Sequence, residues 1–336
     1  MKYSVAVLCL LLSVSSNAAT KEVNLYSARK EALIKPLLQA FTQNTGIKVN
    51  IISSKADALL KRIQAEGVNS PADVLLTTDA GRLHRAKIAG VLSAGDSEIL
   101  RKNVPANLRD PDNQWFGLSV RVRPIMVNDA SLLSKISNYE DLTEKQFAKQ
   151  ICVRSSGNIY NQSLVASMLS AVGEASTEAW AKGLVANLAR KPQGGDRDQI
   201  RASAAGQCSI VIANTYYLAQ MLAGTETSAD FDSANKMTVI WPNQTGRGAH
   251  INISGAGIAK HAPNRANALT LIEFLSSEEA QEIYANVNYE YPVKEGVKTN
   301  KILTSWGSFK RDDLNLSKLG TLNADAVRLM DRAGWK

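Results

Sequence analysis

The sequence predicts an α/β protein built as two lobes. Short apolar strands alternate with amphipathic helical patterns almost throughout. A long extended run stands at Trp115–Val127, and the alternation resumes beyond it before a return strand rich in β-branched and small residues at Ile251–Ala259. The 336 residues are enough for two lobes, and 45% hydrophobic with 21% charged content excludes disorder.

Taken in order, Glu22–Tyr26 reads as a strand. Leu33, Ile34, Leu37, Leu38 and Phe41 then lay one apolar stripe on a helix that ends near Gly46. Lys48–Ile52 is a second strand, Ala58–Glu66 a second helix, and Val74–Thr77 a third strand after the breaker Ser70-Pro71. Three βα units in succession, with a largely parallel sheet, make the first lobe. Trp115–Val127 exceeds the usual strand of about five or six residues and is expected to cross between the lobes. The second lobe, from about Asn128 to Pro242, repeats the construction. It has a strand at Ile151–Arg154, helices at Asn161–Val172, Thr177–Arg190 and Arg197–Gly206, and a strand at Ser209–Ala213. Amphipathic helices close the chain, and the lack of an internal repeat excludes a solenoid.

The N-terminus has the design of a secretory signal peptide, residues 1–18: Lys2, an apolar stretch Val5–Val14, and small residues at Ser15–Ala19 for cleavage after Ala18. About 10 apolar residues are too few for a bilayer helix, which needs roughly 20. Cys9 lies too early for lipidation after cleavage, so the mature chain is expected to be exported, soluble and unanchored. The net charge is +8, with the basic residues dispersed and no interleaved aromatic pattern. That disfavours nucleic acid and favours an anion or an anionic complex. Cys152 and Cys208 remain after cleavage, and in an oxidising compartment they predict one disulfide, two buried free thiols being the alternative.

Catalytic motifs are missing: there is no G-x-S-x-G, P-loop, G-x-G-x-x-G or H-E-x-x-H. The histidines His84, His250 and His261 lack metal-ligand spacing and read as surface or satisfied side chains. What stands out is Ile210–Leu222, where a β-branched strand runs through the capping candidates Asn214 and Thr215 into a helix whose first turn carries Tyr216 and Tyr217. In an open α/β sheet such a junction is where ligands bind. The stretch Arg154–Ser163 has the same design, with Tyr160 at the helix start and a polar turn, Ser156-Gly157-Asn158, whose backbone N–H groups can cradle an anion. Phenolate oxygens with few carboxylates or imidazoles nearby suit a hard trivalent cation such as Fe3+. Arg29 and Arg121 are bidentate partners for carbonate or a similar oxyanion that would complete the coordination.

At Asn24–Arg29, Thr45–Val49, Ser70–Thr77, Gln114–Leu118, Ala186–Asp198 and above all Asn214-Thr215-Tyr216-Tyr217, the chain resembles the periplasmic ferric-ion-binding proteins, receptors of bacterial iron(III) ABC importers. The resemblance covers essentially the whole mature chain. It implies a two-lobed type II periplasmic-binding-protein fold with hinge strands between the lobes, one formed by residues 19–118 plus about 247–300 and the other by about 119–246 plus 301–336. It implies Tyr160, Tyr216 and Tyr217 as metal ligands, Arg29, Arg121 and the Ser156-Gly157-Asn158 turn as anion holders, and the Cys152 and Cys208 placement seen in similar members. The chain departs from the family at Arg29, where one branch has a histidine ligand, at Thr78, the nearest match to that branch's glutamate, and at Lys30-Glu31, where another branch has a His-Tyr pair. The first lobe thus lacks its usual protein ligand, and Tyr26 is a possible extra phenolate.

The function so implied is that of a non-catalytic, monomeric periplasmic receptor, which holds Fe3+ with a synergistic anion, closes over it and docks on an inner-membrane ABC permease. Two alternatives stand beside it. One is an anion receptor without metal, in which the tyrosines serve as walls; the other is a secreted enzyme using Tyr217 as acid or base.

Overall fold

The computed structural model describes residues 21–336, and the expected signal peptide lies outside them. Two sheets organise the chain. The first comprises β1 (Glu22–Ser27), β2 (Lys48–Ser53), β3 (Val74–Thr78), β4 (Leu92–Ser93), β5 (Phe116–Val122) and β10 (Ile251–Ala259). The second comprises β6 (Ile125–Val127), β7 (Ile151–Cys152), β8 (Ile210–Ile212) and β9 (Thr238–Ile240), in the order β7-β8-β6-β9.

In β1, Val23 and Leu25 are buried, and Leu25 lies between Ile51 of β2 and Val74 of β3 in parallel register. The helix Glu31–Thr45 buries Ile34, Leu37, Leu38 and Phe41, the stripe read from the sequence, and stops at Gly46, whose φ of 70° is open to glycine at no steric cost. The expectation of a largely parallel sheet is corrected by the return strand. β10 runs antiparallel to β3, β4 and β5, because it re-enters the first lobe from the second. Every residue of β10 is buried, and a side chain at Gly255 or Gly257 would collide with the carbonyl oxygens of Phe116 and Gln114, so the glycines let the strands meet.

The expected single strand Trp115–Val127 is two. Arg123-Pro124 interrupts it, since proline offers no N–H to a ladder, and β5 stays in the first sheet while β6 pairs with β8 and β9 in the second. The chain crosses between the lobes at this point. In the second lobe the strand expected at Ile151–Arg154 is only Ile151–Cys152, which frees Arg154 and the turn after it. The long helical stretch Ile159–Ala186 is broken at Gly173, φ 78°, close to the gap expected between two helices. The helix Asn323–Arg332 packs on that stretch, and beyond it the Trp335 indole donates to the Arg154 carbonyl at 2.9 Å. Among the described residues no helix is long and apolar enough to cross a membrane.

Cys152 and Cys208 are joined in a disulfide, 56 residues apart in sequence, tying the end of β7 to the residues that lead into its parallel neighbour β8. A covalent loop of this length restricts the unfolded chain by about 4 kcal/mol in the chain-entropy picture. Replacing both cysteines by serine is therefore expected to lower the urea midpoint by an amount worth about 4 kcal/mol, and an unchanged midpoint would contradict that.

Candidate functional site

Tyr160 and Tyr216 come from two helix starts that face each other. Asn158 caps the first, its side-chain oxygen accepting from the Tyr160 N–H at 3.2 Å. The second, Thr215–Leu222, is fixed differently from the expected cap: Asn214 makes no side-chain cap bond, and its oxygen accepts from Arg123 Nη1 at 3.1 Å. Thr215 Oγ1 accepts from the Val122 N–H at 3.3 Å, which ties this helix to the crossing segment. The Tyr216 hydroxyl donates to the Tyr160 oxygen at 3.4 Å, and the Tyr216 and Tyr217 rings lie 4.2 Å apart between centroids. The three phenols share one cleft of about 510 Å³ between the lobes.

A frame of buried charges holds the cluster. Arg123 donates to Asp196 at 2.8 Å, to the Asn161 side chain at 2.6 Å and to the Ile212 carbonyl at 3.2 Å. Asp196 in turn accepts from Arg154 at 2.8 Å. Arg121 is buried, with its guanidinium carbon 5.4 Å from the Tyr160 ring and 6.0 Å from that of Tyr216. Burial opposes the charge on Arg121, but Tyr160, Glu290 and Tyr216 outweigh it and keep the guanidinium protonated. The phenols divide accordingly. Burial works against a Tyr160 phenolate, yet Arg121 and the hydroxyls of Tyr216 and Thr78 hold it below the usual phenol range. Burial, then Tyr160 and Tyr217, push Tyr216 well up; burial, Tyr160 and Asp196 push Tyr217 up to about 12. The cleft favours one phenolate at a time until something more positive than Arg121 arrives.

Arg29 lines the same cleft, but its fork is taken. Nη1 and Nη2 donate to the two oxygens of buried Glu290 at 3.1 and 3.2 Å, and Nη1 also donates to Ser254. Arg121 Nη2 donates to the Ile253 carbonyl and, at 3.2 Å, to Ser254 Oγ. The Nε–H groups of Arg29 and Arg121 are left as buried donors without partners. Ser156, Gly157 and Asn158 begin the Tyr160 helix but do not line the cleft. Tyr26 is apart from the cluster: its hydroxyl donates to Glu66 at 3.0 Å, and it does not line the cleft. His84 is half-buried with Nδ1 unpartnered, where a surface or a satisfied side chain was expected. His250 is buried and held neutral, pushed down to about 3 by burial and by Arg123 and Arg247, while His261 is exposed.

The sequence reading missed Glu290, Asp196, Arg123 and Arg154, and the expectation of few nearby carboxylates is corrected by Asp196, Asp198 and Glu290 in the cleft wall. The pair Gly194-Gly195 before Asp196 was the one local signal of a turn feeding a helix start. Among the described residues no cluster of three or more His, Cys, Asp or Glu side chains could hold a metal ion.

A polar cleft between two α/β lobes, spanned by crossing strands, defines a solute-binding protein. The chain belongs to the bacterial extracellular solute-binding protein family, whose model matches residues 69–311. It is 50% identical to iron uptake protein A1 of Synechocystis over 94% of this chain and 88% of that one. Its fold matches a Trichodesmium IdiA/FutA structure in complex with iron and citrate, at TM-score 0.91 and 49% identity, covering 94% of this chain and all of that one. It also matches apo ferric ion-binding protein A of Pasteurella haemolytica, at TM-score 0.86 and 44% identity over 94% of this chain and 98% of that one.

An alkaline titration of metal-free protein, followed by phenolate absorbance, is expected to show Tyr160 ionising first of the three. Arg121→Gln should raise that step, because the phenolate loses the cation that favours it most. A Tyr160→Phe protein that keeps the earliest step would contradict the assignment.

Proposed function

We propose that this chain is a periplasmic receptor for ferric iron that hands its cargo to an inner-membrane ABC permease. The observation that carries the reading is the convergence of Tyr160, Tyr216 and Tyr217 in one interlobe cleft, with the hydroxyls of Tyr160 and Tyr216 3.4 Å apart. Ferric iron is hard enough to displace phenol protons, and three phenolates match its charge. The relatives support the same reading, since they carry names of iron uptake and ferric-ion binding rather than of catalysis. Tyr160, Tyr216 and Tyr217 would be the ligands, and Tyr26, bonded to Glu66, is left out. A synergistic oxyanion, carbonate foremost, would take the unpartnered Nε–H donors of Arg29 and Arg121. Closure of the lobes about the crossing segments β5–β6 and β10 would bury metal and anion together. The loaded receptor would act as a monomer, as a clamp of two lobes within one chain requires no second copy.

Each phenol must lose its proton to bind metal, and burial raises Tyr216 and Tyr217, so the logarithm of the apparent affinity should rise by at least about two per pH unit near neutrality. Acidification, which returns those protons, should release iron. The decisive titration is visible absorption of the mature protein with ferric citrate in hydrogencarbonate buffer. A phenolate-to-iron charge-transfer band is expected to saturate at one equivalent and to collapse in Tyr216→Phe and in Tyr217→Phe. No band at any ratio would leave a metal-free anion receptor, built on the cleft's arginines, as the reading in force.

A further inference from the structure

Arg29 and Glu290 are 261 residues apart in sequence and form a two-pronged pair of buried side chains, at 3.1 and 3.2 Å, in the wall of the tyrosine cleft. A carboxylate across a guanidinium fork presents the same planar pair of oxygens that carbonate would. The pair is also wired to the cluster. Arg29 and Arg121 both donate to Ser254 Oγ, and Arg121 in turn lies 5.4 Å from the Tyr160 ring. Glu290 accepts a further bond from Ser119 on β5. Its backbone cannot drift, because the neighbouring Tyr291 exchanges both main-chain hydrogen bonds with Val120 at 2.7 Å and Tyr289 turns the chain with a φ of 57°. An anion entering the cleft therefore meets Arg29 already engaged by a fixed carboxylate.

We propose that Glu290 is a built-in counter-charge to the synergistic anion: it keeps the Arg29 fork, leaves the anion only the Nε–H edge, and weakens the anion's hold by sharing its cation. The inference rests on the ferric-receptor reading and deepens it. Glu290 is a positioning residue here: it touches neither metal nor anion, and acts through Arg29 and the charge it cancels. It keeps the anion exchangeable, and with it the iron, since the metal's coordination is complete only while the anion stays.

The test is the hydrogencarbonate concentration that half-saturates the iron charge-transfer band, measured for the wild type, Glu290→Gln, Glu290→Asp and the double variant Arg29→Gln with Glu290→Gln. Removing the carboxylate charge is expected to lower that concentration by at least about tenfold and to slow iron loss to a chelator. Glu290→Asp keeps the charge but shortens its reach to the fork, so a smaller shift in the same direction is expected, about threefold, from a side chain less disruptive to folding. The double variant removes both charges and should return the half-saturation to the wild-type value or above it, a charge rescue that a purely structural role would not give. A band whose half-saturation is unchanged in either folded single variant overturns the proposal while leaving the receptor reading intact. No band in the wild type at any hydrogencarbonate concentration overturns the receptor reading, and the proposal with it.

Discussion

Arg121 is a buried cation beside two phenol rings, and the electrostatics of the cleft follow from it. An isolated buried guanidinium would be strongly unfavourable, so its surroundings must supply negative charge. They do so in two directions. Towards the second lobe stands the Tyr160 phenol, whose ionisation Arg121 favours; towards the first stands Glu290, shared with Arg29. Burial first, and repulsion from an ionised Tyr160 after it, make Tyr216 and Tyr217 keep their protons above the usual range in the empty cleft. A cleft so arranged is poised for a small ion of high positive charge.

The lobes also meet away from the cleft, through buried polar groups on the crossing segments. Asp79 follows β3 with a φ of 83°, accepts from Ser163 of the Tyr160 helix at 2.9 Å, and accepts from Asn252 of β10 at 2.8 Å. First sheet, return strand and the helix that carries Tyr160 are thereby joined at one carboxylate. Burial is the largest influence on Asp79 and raises its pKa in spite of Arg121 and the donors around it. The glycines of β10 and the break at Arg123-Pro124 place these groups by letting strands approach and then diverge.

The parts of this design that were legible in the sequence are local ones. A β-branched strand, a polar turn and a tyrosine at a helix start occur within a few residues, and both such junctions turned out to face each other. The cysteines sat beside strands that proved to be neighbours, and the disulfide follows from that. What could not be read was long-range charge pairing. Nothing near Arg29 points to a glutamate 261 residues on, and Asp196 gains its meaning only when Arg123 and Arg154 fold onto it. Alternation also left the direction of β10 open, because a buried strand has the same apolar pattern whichever way it runs. Tyr26 shows the opposite limit: a phenol at a strand end is visible in sequence, but its engagement with Glu66 is not.

The central claim is that the three tyrosines of the second lobe hold iron together. An iron-edge anomalous difference map from crystals of the loaded protein tests it most directly. The expected result is a single strong peak within bonding distance of the phenol oxygens of Tyr160, Tyr216 and Tyr217, with density for a small oxyanion between the peak and Arg121. A peak that excludes any of the three phenols, or that lies outside the interlobe cleft, would contradict it.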